Sequence, residues 1–531
     1  MAEVHVLRPP TVWDAVIVGA GLCGLALAHR LVARGQRVQL LEARGRIGGR
    51  VLTQTCEATG QPLDLGPSWY WPETEPHMVA LLASLGLESF AQHDPGDALW
   101  LTDPNRSPER RIEAGGVHAG ARRIAGGSAT LTEALFKALP EGSVITGSAL
   151  IGLRDHGESV ELLRTGGPSL RARRVVLALP PRLVQERVAF DPPLHEAVDQ
   201  ALKDTPTWMA AQAKAVVSFA TPFWRDAGHS GNAFVRHPQA VLGEVYDQSP
   251  SNGAAGGALG GFVALDASQR EHFRVGLPLL IESQLAQLYG IEAQSGQLAL
   301  QDWALERWTC SEADRAEPPA WPQADPLLRR GHWGGRLWFG STETSTHGAG
   351  HMEGALASAD RIAHALLAPA SAATQTSDQA TAIADFAAGV QRLRALAGER
   401  YRQQLVRLLS AQQHEQLTQR ALLAAVDQTY SEALTLLDAF APWSGAGHTE
   451  QGRHALTPAL LKAFDGWNKA LLDDALAHNG TSCALSNFPQ DHQPDAELLR
   501  AITRDLAAAW REFALELNAR LVATPVAQEA A

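Results

Sequence analysis

Lysine is scarce in this chain: Lys137, Lys203, Lys214, Lys462 and Lys469 are the only ones among 45 basic residues. The 57 acids outnumber those bases, the net charge is −12, and no basic cluster exceeds pairs such as Arg110-Arg111. Nucleic-acid binding needs dense positive charge, so none is expected. The four cysteines, Cys23, Cys56, Cys310 and Cys483, show no CxxC spacing, which argues against a disulfide framework or a cysteine zinc site. No run of 18 apolar residues occurs, and the first ten residues carry one Arg and two prolines in place of an apolar leader core. No membrane partner is expected, and a reducing cytoplasm is the expected location. What remains is a globular composition, 45% hydrophobic and 19% charged, in 531 residues. At roughly 150 residues per domain, that length allows two to four domains.

The run Val12 to Val18 reads as a strand ending in Gly19-Ala20-Gly21-Leu22-Cys23-Gly24, and Leu25 to Val32 has helical spacing. A second strand, Arg37 to Leu41, ends in Glu42, 23 positions beyond Gly19. In such a βαβ unit Gly19 permits the turn, Gly21 lets backbone approach a pyrophosphate, and Gly24 lets helix pack on strand. The phosphates sit at a helix N-terminus, whose dipole favours anions, and the acid accepts from ribose hydroxyls. The motif alone does not separate NAD from FAD.

The residues that follow, Glu42-Ala43-Arg44-Gly45-Arg46-Ile47-Gly48-Gly49-Arg50-Val51, resemble the extension that flavin amine oxidases carry after the second strand. Further likeness comes, in order, at Leu63-Asp64-Leu65-Gly66-Pro67-Ser68-Trp69, Gly126-Gly127-Ser128, Val175 to Pro181, Leu337 to Thr344 and His351-Met352-Glu353-Gly354-Ala355. The resemblance spans residues 12–366 and implies FAD, and the missing attachment cysteine described below makes non-covalent binding the expectation. Gly49, Arg50 and Arg44 would then run beside the diphosphate, with Arg50 as a planar cationic fork to phosphate oxygens. Gly66, Pro67, Ser68 and Trp69 would lie near the isoalloxazine ring and Leu150 against adenine. Ser341, Thr342 and Glu343 would meet the ribityl or phosphate region. Trp308, His351 and Met352 complete the implied cofactor contacts. Glu353 stays open between a flavin-side role and a helix N-terminal acid satisfying the dipole.

Lys214 lies in Met209–Asp226, where Ala213, Ala215, Val217 and Phe219 alternate with Lys214, Val216 and Ser218. That is strand periodicity, and a lysine inside an otherwise apolar or small-residue strand is costly to bury. The segment resembles the one in which the family's lysine precedes Pro222-Phe223-Trp224 and is bridged by a water to flavin N5. Lys214 is therefore the implied catalytic residue, against the alternative of a lysine on the outer face of an edge strand. The implied reaction is oxidation of a C–N bond in an amine or amino acid to an imine, with O2 as acceptor and H2O2 as product. A flavin-dependent desaturase or porphyrinogen-type oxidase, and a flavoprotein scaffold without turnover, are the alternatives.

Departures from the family pattern matter too. The cysteine that some monoamine oxidases place nine positions after a tryptophan for covalent flavin attachment is Glu317 here, counting from Trp308, and their two cage tyrosines are Pro318 and His351. Trp308, Tyr70 and His351 are substrate-pocket candidates, each with core packing as the alternative. His351 in particular is open between accepting a proton, binding a carboxylate and filling space.

The expected architecture is α/β: a Rossmann-like FAD/NAD(P)-binding domain, a sheet-based substrate domain and an all-helical C-terminal region. The expected boundaries are 10–75, 120–185 and 300–368 for FAD, 76–119 and 186–299 for substrate, 369–384 for a linker and 385–525 for helices. Apolar stripes at Phe386, Val390, Leu393, Ala397, Tyr401, Leu405 and Leu408, and at Leu498, Ile502, Leu506, Trp510, Phe513 and Leu517, support the last. This region either covers the flavin or forms an independent domain. His448 and His454 lack the spacing that puts two ligands on one helix face, so no metal is expected. A homo-oligomer stays open.

Overall fold

The computed structural model describes residues 12–113, 116–251, 256–367, 379–410, 416–439, 456–482, 485 and 488–522. The chain divides into two compact units, Met1–Leu367 and Ala368–Ala531.

In the first unit the strand Val12–Val18 runs through Gly19 into the helix Leu22–Val32, and Val38–Leu41 returns parallel to the first strand with Val18 opposite Leu41. The turn closes only with glycine. Gly19 has φ +104°, and a Cβ on Gly24 would lie 2.0 Å from the Gly19 carbonyl oxygen. These strands are central in an eight-stranded sheet ordered Ala189–Asp191, Leu150–Asp155, Val160–Arg164, Leu170–Leu177, Val12–Val18, Val38–Leu41, Val144–Ile145, with Leu337–Phe339 pairing parallel to Leu170–Leu177. Val16, Ile17, Val175, Val176 and Leu177 are buried, as parallel strands covered on both faces require. Leu22–Val32 and Met352–Leu367 pack on one face, joined by Ile17, Leu25, Leu356 and Ile362.

A second sheet runs Gln297–Asp302, Ala213–Phe219, Gly257–Val263, Leu242–Asp247, His229–Val235, Asp97–Leu101, Glu109–Arg111. Period-two alternation sorts its residues. Ala215, Val217, Leu259 and Val245 join Ile281 and Leu285 of the helix Leu277–Tyr289 in one core, while Lys214, Phe262 and Glu244 face a cavity. Two expected boundaries differ. Gln297–Asp302 belongs wholly to this sheet and carries it past position 300, and Ala189–Asp191 pairs with Leu150–Asp155 beyond position 185. Pairing across strands decided both, and local composition does not reveal it.

Among its described residues the second unit has the helices Gln379–Ser410, Leu417–Ala439, Leu456–Leu461, Trp467–Thr481 and Ala496–Val522, with short helical turns at Lys462–Phe464 and Pro489–His492. Its core joins Phe386, Val390, Tyr401 and Leu405 of the first stripe to Ile502, Leu506, Phe513 and Leu517 of the second. Tyr430 stacks on Phe513 at 4.3 Å, and the buried Tyr401 hydroxyl donates to Asn479 Oδ1 at 2.6 Å. The helix starts at Gln379, inside the stretch expected as linker, because alanine-rich sequence sustains helix despite its polar neighbours. Most of the expected linker, together with His448 and His454, lies outside the described residues. Among the described residues no helix is long and apolar enough to cross a membrane, and no cluster of three or more His, Cys, Asp or Glu is placed to hold a metal.

Candidate active site

A cavity of about 700 Å³ opens between the two sheets of the first unit. That is within the roughly 300–1,000 Å³ of small-molecule and cofactor sites. One end is built by the βαβ unit. Gly19 and Gly21 line it, and the side chain of Glu42, almost wholly buried, accepts from Ala20 N at 2.9 Å and from Arg44 N at 2.9 Å. Gly24 stands behind the turn, not on the wall. Arg44 also lines the cavity, with Nε 3.1 Å from Glu306 Oε2 and Nη2 donating to Thr309 Oγ1 at 2.8 Å. Leu150 and Trp308 share this end, where the Arg187 guanidinium lies 5.3 Å from the Trp308 ring centroid. Of the two readings of Trp308, cofactor contact and substrate pocket, its place on the cavity wall beside Arg187 and next to Thr309, which Arg44 contacts, favours the first. Trp303, five positions earlier, instead donates to the Leu65 carbonyl beside Gly66 at 3.1 Å.

The middle of the cavity fits a dinucleotide. Gly49 has φ +59°, and a Cβ there would come within 3.2 Å of the Gly21 Cα, so side chains would fill the cradle between turn and extension. The first N–H groups of the helix Leu22–Val32 lack intrahelical partners, as in any helix. Ser341 and Thr342 are on the wall, and the Ser341 hydroxyl is buried without a partner, an unsatisfied polar atom of the kind a bound polar ligand would satisfy. Two residues carry a pairing that the sequence does not reveal. Arg50 lines the cavity but directs its fork bidentately onto Glu343, at 2.7 and 3.1 Å, and Glu343 is fully buried and off the wall. A carboxylate with no water around it needs a cation and takes the nearest guanidinium.

Lys214 lies at the other end, 3% exposed, in an interior strand and not at an edge. Its Nζ donates to the Gly66 carbonyl and to Ser68 Oγ, both at 2.7 Å, and stands 5.4 to 6.0 Å from the ring centroids of Tyr246, Phe262 and Trp69. Burial lowers its pKa to about 7, against the pull of Asp64 in the other direction. Gly66, Pro67, Ser68 and Trp69 form the adjacent wall.

Tyr70 does not reach the cavity: it is buried and its hydroxyl donates to Ser89 Oγ at 2.8 Å. Strand-like alternation after Trp69 turns it the other way. His351 and Met352 do line the cavity, at the start of the helix Met352–Leu367. His351 Nδ1 is 3.3 Å from the buried carboxylate of Glu75. Beside His351, Trp208 stacks on Trp321 at 3.6 Å, and Trp321 is 5.7 Å from the His351 ring. Glu353 points away from the cavity, accepting from Met78 N at 2.9 Å and His77 N at 3.1 Å, so it caps a neighbouring helix, Pro76–Leu85.

Sequence reasoning missed Glu244, His118, Gln212, Trp208 and Phe262, all on the wall. They come from loops and strands without a local motif, and only the pairing of strands gathers them.

A family model described as flavin containing amine oxidoreductase matches residues 22–114 and 97–367. Putrescine oxidase of Kocuria rosea is 27% identical over 56% of this chain and 83% of its own length. Amine oxidase [flavin-containing] B of Bos taurus is 24% identical over 67% of this chain and 86% of its own. Among solved structures, wild-type putrescine oxidase bound to putrescine superposes with a TM-score of 0.57, at 22% identity, over 68% of this chain and 100% of that one. Cyclohexylamine oxidase from Brevibacterium oxydans gives 0.55 at 20% identity, over 67% and 99%.

Proposed function

The chain belongs to the flavin-containing amine oxidoreductases, and from that premise we propose that it oxidises the C–N bond of a small amine or amino acid using FAD held without a covalent bond. A bound flavin would supply a two-electron acceptor for the hydride of the amine's α-carbon, with O2 as the proposed final acceptor and H2O2 as its product. The imine product adds water and splits into a carbonyl compound and ammonia or an amine.

The single observation carrying this reading is Lys214, a buried amine held by Gly66 and Ser68 on the wall of a cavity whose far end is a dinucleotide-type turn. Nothing in folding alone favours a cation there. Its pKa of about 7 makes both forms accessible near neutrality, so Nζ can carry charge or accept a proton. Glu75, 3.3 Å from Nδ1, would hold the His351 ring against the cavity wall, where it would help to position the amine. A bound FAD would have its ribose end beside Glu42 and Arg44 and its diphosphate and ribityl stretch along the glycine cradle and Ser341.

Non-covalent attachment is supported by the thiols. Of the described cysteines only Cys23 lines the cavity, and burial pushes it up to about 12, leaving it protonated and unreactive. The test is anaerobic mixing of the purified yellow protein with polyamines, aromatic amines and amino acids, paired with a peroxide-coupled screen in air. Bleaching of the flavin absorbance and peroxide formation are expected for at least one class, and no bleaching by any of them overturns the reading.

A further inference from the structure

We propose that Glu244, backed by His118 and Asp94, is a second-cation subsite: it binds an ammonium or guanidinium that the substrate carries at a distance from the nitrogen being oxidised. The inference rests on the amine-oxidase reading and narrows it to substrates with two cationic centres.

Strand register carries the argument. Lys214 pairs with Phe262 across one ladder, and Phe262 pairs with Glu244 across the next. The three form one row on the cavity face, so Glu244 lies two strand spacings from Lys214, about 10 Å along the sheet. Phe262 between them offers an apolar floor for a methylene chain, which has no use for a polar one. The row therefore has a reacting end, a greasy middle and an acidic end.

The acid is available. Its side chain is 33% accessible, and among the described residues its one charged neighbour is His118, with Nε2 3.7 Å from Oε1. Glu42, the other glutamate on the cavity wall, lies at the nucleotide end and is taken by the Ala20 and Arg44 amides.

His118 is itself held from behind. Asp94 accepts from the His118 backbone N–H at 2.9 Å, lies 3.4 Å from Nδ1, and is fixed by Asn232 Nδ2 at 3.0 Å. Trp69 stacks on the imidazole at 4.5 Å. Burial opposes protonation of His118, but the two carboxylates still hold it above its usual range. In either form, two carboxylates against one imidazole leave the cluster net negative, and a monoamine has nothing to put there.

The experiment compares a series of α,ω-diaminoalkanes with n-alkylamines of equal length, measuring the rate of anaerobic flavin bleaching for the wild type, Glu244→Gln and Glu244→Asp. Binding of alkyltrimethylammonium and alkylguanidinium compounds, which leave the flavin oxidised, is measured by calorimetry in parallel. Diamines of one length should be favoured over the matching monoamine. Glu244→Gln should lower that ratio by roughly ten- to hundredfold, the size of one charge-assisted contact, and weaken binding of the unreactive cations, while Glu244→Asp restores part of both. Retained flavin colour shows that each variant is folded. If monoamines bleach the flavin and diamines have no advantage, or the ratio survives Glu244→Gln, the subsite is wrong and amine oxidation stands. If neither series nor amino acids bleach it, the oxidase reading falls and the subsite falls with it.

Discussion

Lys214 is held by two short hydrogen bonds inside a ring of three aromatic side chains, and no carboxylate among the described residues contacts it directly. A buried amine arranged this way titrates low, at about 7, because burial disfavours the charged form. The sign follows: below that value Lys214 is ammonium, above it a neutral amine. Positive charge at the reacting end stabilises negative charge arriving with the electrons, so Lys214→Met should slow flavin reoxidation on the order of a hundredfold while flavin stays bound. The wild type's advantage over the variant should shrink as pH rises through about 7. Stopped-flow mixing of reduced protein with O2 across that range reads both effects, and equal rates for the two proteins would remove Lys214 from the mechanism. A second outcome concerns Cys23, whose thiol is pushed up to about 12. Unfolding the yellow protein in acid or guanidinium should release all flavin through a size filter, and colour retained on the polypeptide would contradict non-covalent binding.

Elements, more than single residues, separate what the sequence made legible from what it hid. The first βαβ unit could be read because strand, glycine turn, helix and Glu42 follow one another within a short stretch, each fixed by local sterics. Lys214 was legible for a similar reason, since alternation along a single strand marks its face. Glu244 was not. It joins Lys214 only through Phe262 on a third strand, and pairing between strands leaves no local periodicity to find. The partner of Arg50 was hidden for a related reason: the buried Glu343 that takes its fork is 293 positions away.

Glu353 belongs to the same scale, as a joint between elements. Its carboxylate takes His77 N, Met78 N and the His77 ring, tying the helix Pro76–Leu85 to Met352–Leu367, and Asp360 approaches the other ring nitrogen at 3.3 Å. Glu353→Gln weakens charge-assisted bonds in a buried position and should cost about 1–3 kcal/mol, a drop of a few degrees in Tm. Hydrogen bonds to Asp360 and then Glu353 raise the His77 pKa to about 9. Since the folded value lies above the unfolded value of about 6.5, the histidine's stabilisation is complete below that lower value. It fades as pH climbs through about 9. The Tm difference between wild type and His77→Ala should therefore be largest in mild acid and vanish in alkali; a difference that grows with pH would refute this assignment.

The whole molecule comprises two units with separate hydrophobic cores. Every residue lining the cavity lies between Val18 and Ala355, within the first unit. The second buries Phe386, Tyr401, Leu422, Tyr430, Phe513 and Leu517 in a core built from its own helices. A chain segment that buries its own apolar stripes has the main driving force to fold without help. Its helices were legible from a period of 3.6 carried over many turns, a local signal, but no motif on them says what the unit does. Limited proteolysis near Ser377 should accordingly yield two fragments that survive gel filtration. The N-terminal fragment should stay yellow and bleach with the same amines as the full chain, and the C-terminal one should keep a helical circular-dichroism spectrum and melt cooperatively. If the N-terminal fragment loses its flavin or its substrate preference, the helical unit contributes to the site after all, and the earlier alternative of a cover over the flavin gains its support.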